Sequence, residues 1–258
     1  MNERVGLEVG VHDLHWISPF RMHKRIAPRL YEGARFLVGD SGHASSPLGG
    51  HGLNTALMDA ADLAWKLALV VRGRGKPILL ESYAFEREKA DAHALEVSDL
   101  VHGQVMAMIG ENPRSAPPPD EQTELAQRRG KAILDVSYAG SPLVKDQVGT
   151  VPPIGPEPGE RYPDRIWLQR ISHHLLVFGP IPVDLEDFQS RWGDLVEVLN
   201  PAENGLSGAR SGVPDGGLVL VRPDGYIGFR AVPADLGALE DHLASYLIAR
   251  IGIETGGQ

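Results

Sequence analysis

Between Val38 and Leu67 the chain reads VGDSGHASSPLGGHGLNTALMDAADLAWKL. A short apolar run stops at Gly39-Asp40, a loop of Gly, Ser and Pro follows, and a helical pattern then starts without a break. Apolar residues at Leu53, Leu57, Ala60, Ala61, Ala64, Leu67, Ala68 and Val71 recur at helical spacing, and Gly73 stands where a helix end takes a left-handed residue. A strand that feeds a small-residue loop and a helix start is a ligand-binding device. The first helical turn leaves amides unpaired at the positive end of the dipole. Glycines let a flat ligand lie against the backbone. Asp40 can accept hydrogen bonds from sugar-like hydroxyls, and Pro47 stiffens the loop. Such a site suits a planar, electron-rich ring with a hydroxylated tail. A plain strand-to-helix turn capped by Asp40 accounts for the same residue types.

The segment before the loop reads as strand material. Ile78 to Met108 carries a second helical pattern with Tyr83, Phe85, Leu95, Val101 and Val105, and the charges from Glu81 to Lys89 read as its solvated face. The basic run Arg72 to Lys76 reads as a cap on the first helix, where cations suit the dipole. Residues 110–122, with three consecutive prolines, read as a loop, and 121–134 as a short polar helix. Residues 151–164 carry five prolines and read as an extended connector. Beyond it the pattern becomes a strand at 174–179, a helix at 184–193 with Asp184 as N-cap, and a strand at 195–200. Two strands then flank the turn Arg222-Pro223-Asp224-Gly225, and a closing helix runs from Asp235 to Ile251.

Composition removes several functions. With no cysteine among 258 residues, disulfides, thiolate metal sites and Cys nucleophiles are excluded. A net charge of -9 argues against a nucleic-acid partner. No apolar run approaches a membrane span, and MNERVGLEVG has no leader-like apolar core, so the expectation is a cytoplasmic protein. His12, His15 and His23 lack nearby carboxylates or cysteines, so no metal is expected. His43 and His51 read as loop packing, and His173-His174 as neighbours on opposite faces of a strand. Trp16, Trp65, Trp167 and Trp192 read as core or edge aromatics. GDSGH lacks the second glycine of a hydrolase nucleophile elbow.

The stretch from Gly39 closely resembles the second FAD-binding motif of the FAD-dependent aromatic hydroxylases, the para-hydroxybenzoate and phenol hydroxylase-like flavoprotein monooxygenases. The matching positions are Gly39, Asp40, His43, Pro47, Gly50, Gly52, Asn54, Asp59, Ala60, Leu63, Ala64 and Leu67, with Ser41-Gly42 in place of two alanines. The resemblance implies that Asp40 holds the flavin ribityl hydroxyls. It implies that Pro47, Gly49 and Gly50 line the ring face, and that Gly52 lets the backbone approach it. The amides of Leu53 and Asn54 would then point at the pyrimidine edge. It further implies FAD as cofactor, NAD(P)H as reductant and a small phenolic or polyketide-like aromatic substrate. The last third is similar to the thioredoxin-like C-terminal domain of phenol hydroxylase-type members.

The dinucleotide fingerprint Gly-x-Gly-x-x-Gly with which that family opens is absent, as is its middle Asp-Gly motif. The resemblance therefore covers the family's C-terminal half. The expected fold class is α/β: the C-terminal part of an FAD-binding domain with long helices over residues 1–140, then a linker and a thioredoxin-like α/β domain over 141–258. The expected function is an FAD-dependent aromatic-ring monooxygenase or a truncated part of one. The alternative is a non-catalytic remnant or partner subunit, acting as a homodimer or with a complementing chain. Flavin-contacting residues can be named and a catalytic side chain cannot. Without the phosphate cradle, weak or no FAD binding is expected of the chain by itself.

Overall fold

The computed structural model describes residues 12–13, 15–18, 21, 23–47, 50–110, 135–149, 155–164, 171–179, 185–214 and 216–250. The polar helix expected at 121–134 and the Asp184 cap lie outside them, as does Trp167.

Two small antiparallel ribbons open the described chain. β1 (Arg25–Ile26) pairs with β4 (His43–Ala44), and β2 (Tyr31–Glu32) pairs with β3 (Arg35–Phe36). The run after Phe36 becomes a 3-10 turn, Gly39–Ser41, instead of continuing as strand. α1 (Gly52–Val71) and α2 (Ile78–Gly110) follow. The turn between them starts at Gly73, with φ +68°.

α1 faces the opposite way from the one its apolar stripe suggests. Leu53, Leu57 and Val71 are 73%, 59% and 77% exposed, and Ala60, Ala61, Ala64 and Leu67 are exposed with them. The buried face carries Thr55, Asp59, Asp62, Leu63, Trp65 and Lys66. The charges of α2 are likewise not a solvated face throughout, because Glu86, Arg87 and Asp91 are fully buried. Carboxylates on one helix meet cations on the other, which is the arrangement that permits buried charge.

The C-terminal sheet has the order β5-β9-β8-β6-β7. β6 (His173–Phe178) lies parallel to β7 (Val196–Leu199) and antiparallel to β8 (Gly217–Val221), and β8 runs antiparallel to β9 (Ile227–Val232). α3 (Leu185–Trp192) joins β6 to β7, and α4 (Leu236–Tyr246) follows β9. β5 (Lys145–Val148), read in the sequence as part of a linker, adds a parallel edge strand beside β9. α4 starts at an Asp235 cap bonded to the Ala238 amide and ends at Tyr246, short of Ile251. β8 is central and buried on both faces, so its run is continuously apolar. Leu218 and Leu220 join a core with Leu175, Phe188, Trp192, Leu239 and Leu243, and Val219 and Val221 pack on the other side with Tyr162 and Phe178.

Trp65 of α1 and Leu79 of α2 enter that first core, which joins helices and sheet. A buried ion network reinforces the joint. Lys66 Nζ donates to Asp62 at 2.8 Å and to Glu86 at 2.6 Å. Arg222, from the hairpin turn of the sheet, grips Glu86 through two nitrogens at 2.6 and 2.8 Å. It also reaches Asp62 at 3.2 Å and pairs with Asp224. Arg74 and Lys76 extend the joint at the surface and do not act as a dipole cap: Arg74 bonds Asp194 and the Ile248 carbonyl, and Lys76 bonds the Ala244 carbonyl.

Removing one member of a buried pair leaves its partner charged and unbonded. Arg222→Ala is expected to destabilise the chain by about 3–5 kcal/mol, whereas Leu57→Ser on the exposed stripe should stay within about 0.5 kcal/mol. Urea unfolding of both variants checks the contrast.

His173 packs edge-on against Trp65, and burial, with Arg222 adding to it, pushes its imidazole down to about 3. Unfolded chains take up that proton from about pH 6.5 downward, and the folded chain does not. Wild type should therefore lose about 1.4 kcal/mol per pH unit relative to His173→Phe as pH falls from about 6 towards 4. Unfolding midpoints of the two proteins at pH 7.5 and 5.0 provide the comparison.

Candidate functional site

The site begins with a glycine that no other residue replaces without strain. Gly39 has φ +59°, and a Cβ there would lie 2.9 Å from Ala56 Cβ on α1. That close approach lets the Gly39 amide donate to Asp59 Oδ2 at 2.8 Å. The Ser41 hydroxyl closes the turn by accepting from the Val38 amide and donating to the Val38 carbonyl, both at 2.9 Å. Asp40, between them, is exposed.

α2 acts as a spine for the strand and loop on either side of this turn. The Tyr83 hydroxyl donates to the Leu37 carbonyl at 2.7 Å, and the Ser98 hydroxyl to the Ser46 carbonyl at 3.1 Å. Ser46 Oγ lies 2.8 Å from His102 Nδ1. The loop then carries Pro47, exposed, and Gly50, exposed with φ +70° and open space where a Cβ would stand. Gly52 opens α1 half-buried, and Leu53 and Asn54 are exposed in its first turn. Six of the seven residues named from the sequence thus fall in this one turn, loop and helix start; Gly49 lies outside the described residues.

The donor set suits a flavin. α1 has no acidic residue in its first turn, and its N-cap, His51, makes no side-chain capping bond. The first-turn amides have no intrahelical acceptor and stand at the positive dipole end, with no side-chain cap from His51. His51 is only 2% exposed, and neither ring nitrogen has a hydrogen-bond partner among the described residues. Its burial agrees with the loop packing expected from the sequence. A buried imidazole without partners beside free amides is an arrangement that the polar edge of a ring can complete.

Behind the turn lies a second buried network, unannounced by the spacing of apolar residues. Asp59 Oδ2 takes, besides the Gly39 amide, the His43 Nε2 at 2.9 Å, and Asp59 Oδ1 takes Arg87 Nε at 2.7 Å. Arg87 donates its other nitrogens to Asp91 Oδ1 and the Tyr138 hydroxyl, each at 2.8 Å. Burial would raise Asp59, but the His43 bond and Arg87 hold it below the usual carboxylate range. His43, Asp59 and Asp91 offer ligand atoms within 4.8 Å of one another, but Arg87 already supplies the cation between the two carboxylates. Four of these residues had a signal: His43 and Asp59 sit in the quoted motif, and Arg87 and Asp91 share one face of a helix at i, i+4. His12, His15 and His23 are exposed and take no part.

An exposed carboxylate on a tight turn, a glycine loop and a helix start thus follow one another from Asp40 to Asn54. Residues 1–98 match the family described as FAD binding domain. The chain is related to FAD-dependent aromatic and polyketide monooxygenases. It is 30% identical over 263 residues to 6-methylpretetramide 4-monooxygenase of Streptomyces rimosus, covering 86% of this chain and 46% of that protein. Among solved structures, the rebeccamycin biosynthetic enzyme RebC with reduced flavin superposes with a TM-score of 0.61 at 27% identity, over 86% of this chain and 47% of that one. The anhydrotetracycline hydroxylase OxyS of Streptomyces rimosus gives 0.57 at 29% identity, over 86% and 46%. The chain spans about half the length of the curated relatives it matches.

Gly39→Ala should cost about 1–2 kcal/mol for the left-handed backbone alone, with the Ala56 contact adding to it. Urea unfolding of that variant beside Gly33→Ala, whose Cβ would meet open space at a similar φ, separates the contact from the backbone cost.

Proposed function

We propose that this chain supplies the flavin-facing wall of an FAD-dependent aromatic-ring monooxygenase acting on phenolic or polyketide-like substrates, with NAD(P)H as reductant. The observation that carries this reading is the succession of exposed Asp40, Pro47, Gly50, Leu53 and Asn54 through one turn, loop and helix start. Asp40 would hold the ribityl hydroxyls, Pro47, Gly49 and Gly50 the ring face, with Gly52 admitting close approach, and the Leu53 and Asn54 amides the pyrimidine edge. FAD, when bound, supplies the redox chemistry that activates oxygen. The chain's own contribution is to orient the ring and to favour negative charge on its pyrimidine edge through the helix dipole. No side chain is assigned an acid-base role.

Residues 1–140 would form the flavin-side unit and 141–258 a thioredoxin-like unit. The order strand-helix-strand-strand-strand-helix from β6 to α4, with β6 between β7 and β8, supports that reading. A cytoplasmic setting belongs to the same proposal, because NAD(P)H is held inside cells. Among the described residues no helix is long and apolar enough to cross a membrane.

The exposed stripe of α1 favours a second element of the reading. Leu53, Leu57, Leu67 and Val71 are exposed at helical spacing on one side of α1. A complementing polypeptide surface carrying the dinucleotide-binding half would cover it, and so would a second copy of this chain acting as a non-catalytic subunit.

Titration of the purified chain with FAD, followed by flavin fluorescence and the visible spectrum, tests the proposal. Saturable micromolar binding that is lost in Asp40→Ala is the expected result if the wall suffices. Binding that Asp40→Ala leaves unchanged removes Asp40 from the site and the proposal with it.

A further inference from the structure

The proposed flavin wall depends on a turn that is seated by one buried carboxylate. Gly39, Asp40 and Ser41 make a single 3-10 turn, and its only tie to α1 in the hydrogen-bond pattern of the described residues is the Gly39 amide on Asp59 Oδ2, 2.8 Å away. That oxygen is shared with His43, which lies in β4 directly after the turn. Asp59 therefore holds the turn from both sides, before Asp40 and after it. Arg87 fixes Asp59 from behind through Oδ1, so the carboxylate cannot rotate without breaking an ion pair.

The charge count of this cluster is odd. Asp59 and Asp91 are two carboxylates, both buried, and Arg87 is one permanent cation. His43 is the fourth member, 2.9 Å from Asp59 and 3.9 Å from Asp91. The other titratable groups that face the cluster are Tyr83 and Tyr138, which burial keeps neutral, and Asp62, which faces Arg87 and Tyr83 from α1. A buried site settles near neutrality, so one further proton is required. It can sit on His43 or on Asp91. Asp91 Oδ2 has no hydrogen-bond partner among the described residues, and once protonated it can donate to Asp59.

We propose that Asp59, held by Arg87, is the positioning residue for the Gly39-Asp40-Ser41 turn, and that one proton shared by His43 and Asp91 decides whether the turn is seated for flavin binding. The inference rests on the flavin-wall reading for its purpose, though not for its mechanics. With the proton present the cluster is neutral, and Asp59 can accept from Gly39, His43 and Arg87 together. With it gone the cluster carries a net negative charge, and the repulsion between Asp59 and Asp91 strains the Arg87 pair that fixes the acceptor of the Gly39 amide.

The direction of the pH effect follows. Burial pushes the Asp91 carboxyl up to about 7, with Asp59 adding to the push against Arg87. Burial alone would lower His43, but the Asp59 bond and the Asp91 charge outweigh it and hold the imidazole above its ordinary value. Both folded-state values exceed those of the unfolded chain, so the seated form is favoured at lower pH and is lost as pH rises through about 7.

The test uses the intact, 15N-labelled chain without FAD. The Gly39 amide resonance is followed from pH 6 to 8.5 by NMR, with the buried Leu220 amide as control. In wild type the Gly39 amide should titrate with a midpoint near 7, and its exchange protection should fall on the alkaline side. Asp91→Asn mimics the protonated carboxyl and should hold the amide in its low-pH position across the range. Asp59→Asn should displace it at every pH. Should Asp59→Asn not fold, Asp91→Asn and the wild-type titration decide the matter between them. A Gly39 amide that is indifferent to pH in wild type, or that titrates unchanged in Asp91→Asn, overturns the proposal.

FAD titration separates this inference from the reading beneath it. If FAD binds, its affinity should fall about tenfold from pH 6.5 to 8.5 in wild type and stay level in Asp91→Asn, the scale of one charge-assisted hydrogen bond. If FAD does not bind while Gly39 titrates as described, the wall does not hold FAD without the dinucleotide-binding half and the positioning role stands. FAD binding that is equally tight in Asp59→Asn, with Gly39 undisturbed, overturns the positioning role and leaves the flavin reading intact.

Discussion

Everything in this chain is arranged around carboxylates that have been taken out of water. Asp62, Glu86 and Asp224 face Lys66 and Arg222 at the joint between helices and sheet. Asp59 and Asp91 face Arg87 behind the Gly39 turn. Each network has one carboxylate more than it has permanent cations, and each solves the imbalance with a proton. At the joint, burial raises Asp62 well above the usual carboxylate range, while Arg222 and Lys66 overcome the burial of Glu86 and hold it well below. Behind the turn, His43 and Asp91 are both raised above their ordinary values. The first site is locked by two cations and a fully enclosed setting. The second has one permanent cation, Arg87, and it lies behind the Gly39 turn.

The two networks share two helices. α1 contributes Asp59, Asp62 and Lys66, and α2 contributes Glu86, Arg87 and Asp91. This is why α1 turns its leucines outward. A helix has one inward face, and here it is given over to paired charge together with Leu63 and Trp65. The apolar stripe remains for something else to cover, and it runs back to Leu53 at the start of the helix where the flavin loop ends.

Much of the architecture was legible in the residues. The helical period at 53–72 and 78–108, the hairpin about Pro223-Asp224-Gly225 and the closing helix all depend on local patterning and turn chemistry, which a sequence displays directly. The stretch from Gly39 to Asn54 was legible as a small-residue turn and loop leading into a helix start, since glycine and proline punctuate the chain there. What was not legible was orientation. Periodicity shows that a helix has an apolar stripe and is silent about which side is buried. The charges at 86–91 looked solvated because their partners lie far away in sequence: Arg222 is 136 residues from Glu86, and Tyr138 is 51 from Arg87. β5 was hidden for a similar reason, because its Lys-Asp-Gln-Val has little strand character until β9 offers an edge.

The grip of Arg222 on Glu86 has a consequence for how such chains can be recombined. Arg222 sits on the hairpin of the C-terminal sheet, yet its ligands belong to the helices that carry the loop. Grafting a different C-terminal unit onto these helices would strand Lys66, Asp62 and Glu86 in an apolar gap unless the incoming hairpin brought an arginine to the same spot. The two halves therefore form a matched set, inherited or exchanged only together with that turn, and the junction at which they can be parted does not lie in the proline-rich connector between them.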